Sequence, residues 1–260
     1  MASPNEGIPA IPAIGLELPP STLTPRALAY AKKHCTETVY NHAVRSAYWA
    51  VLIASKLAHF KQNPQLNLEA VVISCILHDM GWATTPELLS KDKRFEVDSA
   101  NIARDLIKAE QSRENTEYLD EATIQRIWDA IALHTTGSIA RYGAPEVALT
   151  NLGVSADFMG PHLPGPDGTP LITPQEYAAV MRVFPRAGFN KEGFKDIMCA
   201  LCRTKPETTY DNFVGEFGRI FGTDGVGGGR DEYAQAWKTA QKVQRLLSGL
   251  DALEALDSES

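Results

Sequence analysis

Apolar residues recur at spacings of three and four along most of the chain, and no run alternates for long enough to predict a sheet. Residues 26–60 carry such a helical pattern, with Ala47, Val51, Ala54 and Ala58 on one stripe. A break is expected at 34–38, where Thr36 or Thr38 is placed to cap a second helix. Asn67 is placed to cap the next, in which Leu68, Val71, Val72, Cys75, Ile76 and Leu77 leave almost no polar face. Such a helix is buried on most sides and forms the centre of an all-helical domain. It stops at Gly81. Further helical patterns cover 95–110, 118–135, 144–160, 173–183 and 190–204, and an amphipathic helix is expected over 232–250.

The two ends differ from the middle. The first residues are rich in proline, and Ile8-Pro9-Ala10-Ile11-Pro12 cannot continue a helix. Residues 1–24 therefore read as an extended arm packed through Ile11, Ile14 and Leu16, with Pro25 in the first turn of a helix capped by Thr24. Residues 251–260 read as a flexible acidic tail. With no internal repeat and no evident boundary, the pattern predicts an all-α fold with one domain over 25–250.

Composition narrows the function. The 260 residues carry a formal net charge of −7, which disfavours broad attraction to nucleic acid or an anionic membrane. No stretch approaches the roughly 18 apolar residues of a membrane span, and Met1 to Pro20 has no basic residue, so a cytoplasmic location is expected. Four cysteines are too few for a disulfide framework, and the Cys199/Cys202 pair has no second pair beside it, so both read as buried thiols. The run Gly225-Val226-Gly227-Gly228-Gly229 lacks the Lys-Ser/Thr of a phosphate loop and reads as a connection.

The candidate chemistry lies in four side chains. His42 sits inside a helix, His78 and Asp79 are adjacent at the end of the buried helix, and Asp157 lies on a later apolar helix. Two imidazoles and two carboxylates suit one divalent transition metal. Adjacent helical side chains point about 100° apart, so His78 and Asp79 reach one ion only at a helix terminus or where helices converge. An aspartate on an apolar face is costly to bury unless a cation meets it, which applies to both Asp79 and Asp157.

In this order the residues resemble the HD-domain superfamily of helical metalloproteins, and within it the cyanamide-hydratase branch. Tyr40-Asn41-His42, followed by Arg45 and Tyr48-Trp49, resembles the branch's first block. Leu77-His78-Asp79-Met80-Gly81 resembles the second, and Ala132-Leu133-His134 followed by Ala156-Asp157 the last two. The resemblance covers about residues 25–205 and implies His42, His78, Asp79 and Asp157 as metal ligands. It also implies zinc as the ion, while the donor set alone is equally compatible with iron, manganese or nickel. Many phosphohydrolases of the superfamily carry a lysine after the His-Asp-x-Gly turn, where this chain has Trp82. Only His134 lies between the His-Asp pair and Asp157, one histidine short of the superfamily's diiron oxygenases.

The resemblance thus implies addition of metal-activated water to a small nitrile-type substrate, such as cyanamide to urea. Asp79 is the carboxyl placed to move the proton, with Asn41, and His134 or Thr136, as donors of hydrogen bonds that orient the substrate. Trp82, Thr136, Phe158 and Arg45 are the candidate substrate contacts. Arg45 has a second use, as the structural partner of a carboxylate. The alternatives are a metal-dependent phosphohydrolase, with Arg45 or the basic residues of 91–94 neutralising phosphate, and a non-catalytic metal-containing binding protein. The expected partner is a small molecule. A homo-oligomer is a further use for the apolar stripe of Trp237, Val243, Leu246 and Leu247, the other being closure of the domain's own core.

Overall fold

The computed structural model describes residues 8–16, 18–116 and 118–258. The described residues form helices and connections without a strand, as the periodicity predicts. They divide into two compact units, 1–90 with 95–189, and 91–94 with 190–260. The continuous helical reading of 25–250 therefore runs across a junction at Asn190 that no shift in composition marks.

The first unit contains α1 (Leu23–His34), α2 (Glu37–Lys56), α3 (Ala58–Lys61), α4 (Leu68–Leu77), α5 (Phe95–Glu114), α6 (Glu121–Ala132), α7 (Gly137–Ala140), α8 (Pro145–Met159) and α9 (Pro174–Val183). Local chemistry sets several of these boundaries. Thr36 accepts a hydrogen bond from the Val39 amide, Asn67 from Ala70 and Asp120 from Thr123, while Thr173 and Glu176 close a capping box on α9. The first helix starts two residues earlier than expected: Ser21 Oγ, not Thr24, receives an amide, that of Thr24 itself at 2.8 Å.

The central α4 is buried from Ala70 to Leu77 and packs on α1, α2, α6 and α8. Against it and one another lie α2 and α8, whose approach depends on Gly153. A Cβ there would stand 2.7 Å from both the Ala50 methyl and the Ser46 carbonyl oxygen. This close crossing brings the polar face of α2 onto Asp157 of α8. The arm joins the same core, with Ile11 buried and Ile14 and Leu16 partly so. It is not fully extended, since Pro12–Ile14 form a turn of 3-10 helix. Residues 1–7 of the arm lie outside the described residues.

The second unit holds α10 (Lys191–Thr204), α11 (Val214–Phe221), α12 (Arg230–Ala240) and α13 (Lys242–Ser258). Cys199 and Cys202 are buried free thiols on α10. The single amphipathic helix expected over 232–250 is two helices broken at Gln241, and the tail expected to be flexible is helical as far as Ser258. Among the described residues no helix is long and apolar enough to cross a membrane.

Candidate metal centre

The candidate site lies in the first unit, where α2, the end of α4 and α8 meet. His42 faces inward from α2, almost wholly buried. His78 ends α4 with helical dihedrals, and Asp79 follows at φ −108°, ψ 21°, just outside the helix. The turn away from the helix lets both neighbours face one point. Gly81 completes it: a Cβ at that position would lie 2.2 Å from the Phe95 carbonyl oxygen, and its amide donates to Ser99 Oγ at 2.7 Å.

One donor atom each from His42, His78 and Asp79 lies within 4.8 Å of the others, all three residues being buried. The Nε2 atoms of the two imidazoles are 3.2 Å apart, and Asp79 Oδ2 is 3.1 Å from that of His78 and 3.5 Å from that of His42. Their tautomers follow from the other ring nitrogens. His78 Nδ1 lies 2.7 Å from the Cys75 carbonyl oxygen and His42 Nδ1 2.7 Å from Asp157 Oδ2, so each nitrogen must carry the proton and donate it. In the neutral rings both Nε2 atoms then present lone pairs to the same point.

Asp79 makes that point negative. Both its oxygens are buried and accept no hydrogen bond. A buried carboxylate so exposed to lone pairs is stable only with a cation between them. The titration tendencies agree. Burial works against charge on His78, but the Asp79 carboxylate outweighs it and raises the imidazole above its ordinary value. Burial would raise Asp79, but the charge of His78, then of His42 and His134, holds it below the usual range. The donor set therefore fits a divalent metal.

Asp157 was expected as the fourth ligand. It stands on the far side of the His42 ring, at Nδ1, with both oxygens engaged. Oδ1 accepts from Arg45 Nε and Trp49 Nε1, each at 2.8 Å, and Oδ2 from Arg45 Nη2 at 2.8 Å as well as from His42. His42, Arg45 and Trp49 follow a three-and-four spacing on α2, which brings all three donors to one carboxylate. Burial would raise the Asp157 carboxyl, but hydrogen bonds and charge from His42 and Arg45 hold it well below the usual range. The cation that this buried acid requires is the guanidinium. The donor atoms brought together where an ion could be held are thus those of His42, His78 and Asp79.

The remaining candidates fall at different distances. His134 reaches the site from the end of α6, its Nε2 3.7 Å from Asp79 Oδ1 and its Nδ1 donating to the Ile131 carbonyl at 2.6 Å. Burial and then the nearby His78 lower it to about 4, so near neutrality it is an uncharged acceptor at Nε2 and not the donor expected. Asn41 donates through Nδ2 to the Pro185 carbonyl at 3.3 Å, which occupies the group expected to orient a substrate. Arg45 is fully buried and also donates to the Pro185 carbonyl at 3.0 Å, so its donors are taken up within the fold. Trp82 leaves the His-Asp turn and rests 5.1 Å from the Phe95 ring. Thr136 precedes the short α7 and is half-buried. Phe158 is half-exposed, its ring centre 5.5 Å from that of His42.

Three contributors carry no assigned role in the sequence reading. Phe189 stacks flat on His42, the ring centres 4.1 Å apart, and Arg186 donates to the Asp157 backbone carbonyl. Both lie in an irregular segment where no periodicity or motif marks them. Trp49 was legible in principle, because 42, 45 and 49 share a helix face.

No curated protein matches this sequence. The HD domain family matches residues 39–174, a stretch that includes His42, Arg45, Trp49, His78, Asp79, His134 and Asp157. HD domains are typically metal-dependent hydrolases, and the buried cluster of two imidazoles and a carboxylate is compatible with that chemistry. With more than half the chain matched and the His and His-Asp residues converging as described, this protein belongs to the HD-domain family.

Proposed function

We propose that this protein is a metal-dependent hydratase of a small, uncharged nitrile-type substrate, with cyanamide, converted to urea, as the first compound to test. His42, His78 and Asp79 would hold the ion, and three protein ligands are the number found in catalytic zinc sites, where water takes the fourth position. A divalent ion there supplies Lewis-acid activation of water near neutral pH.

The observation that carries the choice of substrate is the commitment of Arg45. A phosphate ester needs a positive group to offset its charge. Arg45 has no exposed surface and spends its donors on Asp157 and two backbone carbonyls, and the part-exposed Arg186 donates to the Asp157 backbone carbonyl and lies over the Phe189 ring. The walls beside the imidazoles are aromatic, from Phe158, Phe189 and Phe95. Such walls favour a small neutral molecule by size and desolvation. His134 Nε2, held as an acceptor, is suited to receive an N–H of the substrate's amino group. Asp79 is the carboxylate placed to carry the proton that water loses on adding across the carbon–nitrogen bond, which the nitrogen finally receives.

The test is elemental analysis of the purified protein paired with urea-, ammonia- and phosphate-release assays on nitriles and nucleotide monophosphates. The expectation is one equivalent of zinc and urea formed from cyanamide. Phosphate release without nitrile hydration would reverse the assignment in favour of a phosphohydrolase, and stoichiometric metal with no turnover would make the site a binding site.

A further inference from the structure

Asp157 holds His42 at Nδ1, which fixes where that nitrogen sits but leaves the tilt of the ring open. The tilt matters, because the Nε2 lone pair lies in the plane of the imidazole, and a tilted ring aims it away from His78 and Asp79. One contact bears on that plane directly. The Phe189 ring, itself buried, lies flat on His42 with planes 14° from parallel, whereas the rings of His78 and Phe158 meet it edge-on at 73°. Phe189 ends the connection 184–189, which follows one face of α2. Thr38 Oγ1 donates to the Ala187 carbonyl at 3.1 Å, Asn41 Nδ2 to that of Pro185 at 3.3 Å, and Arg45 Nη1 to those of Phe184 and Pro185 at 3.4 and 3.0 Å. Residues 38, 41, 42 and 45 share a helix face, so the stripe that presents His42 also holds the segment that covers it. Arg186 fastens that segment to α8 through the Asp157 backbone carbonyl, and the guanidinium groups of Arg186 and Arg45 each lie 5.6 Å from the centre of the Phe189 ring. Gly188 stands at φ +80°, and a Cβ there would lie 2.5 Å from Thr38 Oγ1, so glycine is what lets the connection run this close.

We propose that Phe189 is a positioning residue for the metal centre: its ring sets the plane of His42, and the connection 184–189 is the strap that keeps it there. The inference rests on the reading of His42 as a metal ligand. A functional constellation tolerates only about 10–20° of misorientation in its members, so a plane fixed within that range is a condition for three donors to serve one ion. A leucine at 189 fills part of the same space but offers no flat face, and the imidazole is then free to tilt about its bond to Asp157. Losing a support around a ligating histidine weakens metal affinity about 10–100-fold. Phe189 lies beyond residues 39–174, so the stretch that matches the HD domain family holds the ligands and this chain's own strap sets the aim of one of them.

Chelator competition for zinc and the visible absorption of the cobalt(II)-loaded full chain test this, with urea unfolding of the metal-free protein run beside them. Phe189→Leu should weaken zinc binding about tenfold and change the cobalt absorption, which reports how the ligands surround the ion. Gly188→Ala, at an exposed position on the strap, should weaken zinc binding in the same direction by shifting Phe189. A side chain with a packing role alone would lower the urea midpoint and leave the zinc affinity of the folded protein and the cobalt absorption where they were. That result in Phe189→Leu would overturn the proposal, as would wild-type affinity in Gly188→Ala or a wild type that takes up neither ion. Both readouts are taken without substrate, so they decide the role of Phe189 whether or not the protein hydrates nitriles.

Discussion

Replacing Asp157 by asparagine changes little in volume and removes the charge that His42, Arg45 and Trp49 share. Four donors 2.7–2.8 Å from two carboxylate oxygens would then face one carbonyl oxygen and one NH₂ group. At least one donor loses its acceptor, and the guanidinium, with no exposed surface, loses its counterion. Removing one member of a buried pair costs about 3–5 kcal/mol. At roughly 2–4 °C per kcal/mol for a unit of this size, the melting temperature of the metal-free protein should fall by about 6–20 °C. Loss of the Nδ1 acceptor leaves His42 free to turn or change tautomer, and misplacing such an orienting partner weakens metal affinity about 10–100-fold. Urea unfolding of the metal-free protein and calorimetric zinc titration measure the two effects. A variant that unfolds at the wild-type midpoint without metal, yet retains no ion, would show Asp157 to be a ligand and not a clamp on His42 and Arg45.

His78→Ala removes one of the three converging donors and should abolish stoichiometric metal, read by elemental analysis after dialysis, while circular dichroism stays helical. Gly153→Ala forces a methyl into the crossing of α2 and α8 and should destabilise by about 1–3 kcal/mol, seen as a lower urea midpoint. Because the Asp157 carboxyl titrates lower in the folded protein than in the unfolded chain, its stabilisation is complete above the unfolded value near 4 and declines as pH falls toward the folded value. Urea midpoints of the metal-free protein at pH 7, 5, 4 and 3 should show that decline, and Asp157→Asn should show less of it.

Most of the helices, though not the short α7 and α11, were legible because what makes them is local. Asn67, Thr36, Asp120 and Thr173 each cap within three residues of themselves, and the apolar run of α4 has nowhere to go but the interior. The break at Gln241 carries no proline or glycine, and the division at Asn190 follows a Pro185–Gly188 connection no different in the sequence from the other turns, so neither was legible. Phe189 and Arg186 reach the site from a connection, where side-chain direction depends on the rest of the fold.

Asp157 shows where the two kinds of information part. By itself the sequence determined that an acid on the apolar face of α8 must meet positive charge, because an unpaired buried carboxylate is too costly. It also determined that His78 and Asp79 sit at a helix end where they can face one point. Which cation Asp157 meets was decided only by the crossing of α2 over α8 at Gly153, which delivers Arg45 at hydrogen-bonding distance and leaves His42, His78 and Asp79 to converge. Burial sets the sign of the required partner, but only packing decides which positive group arrives.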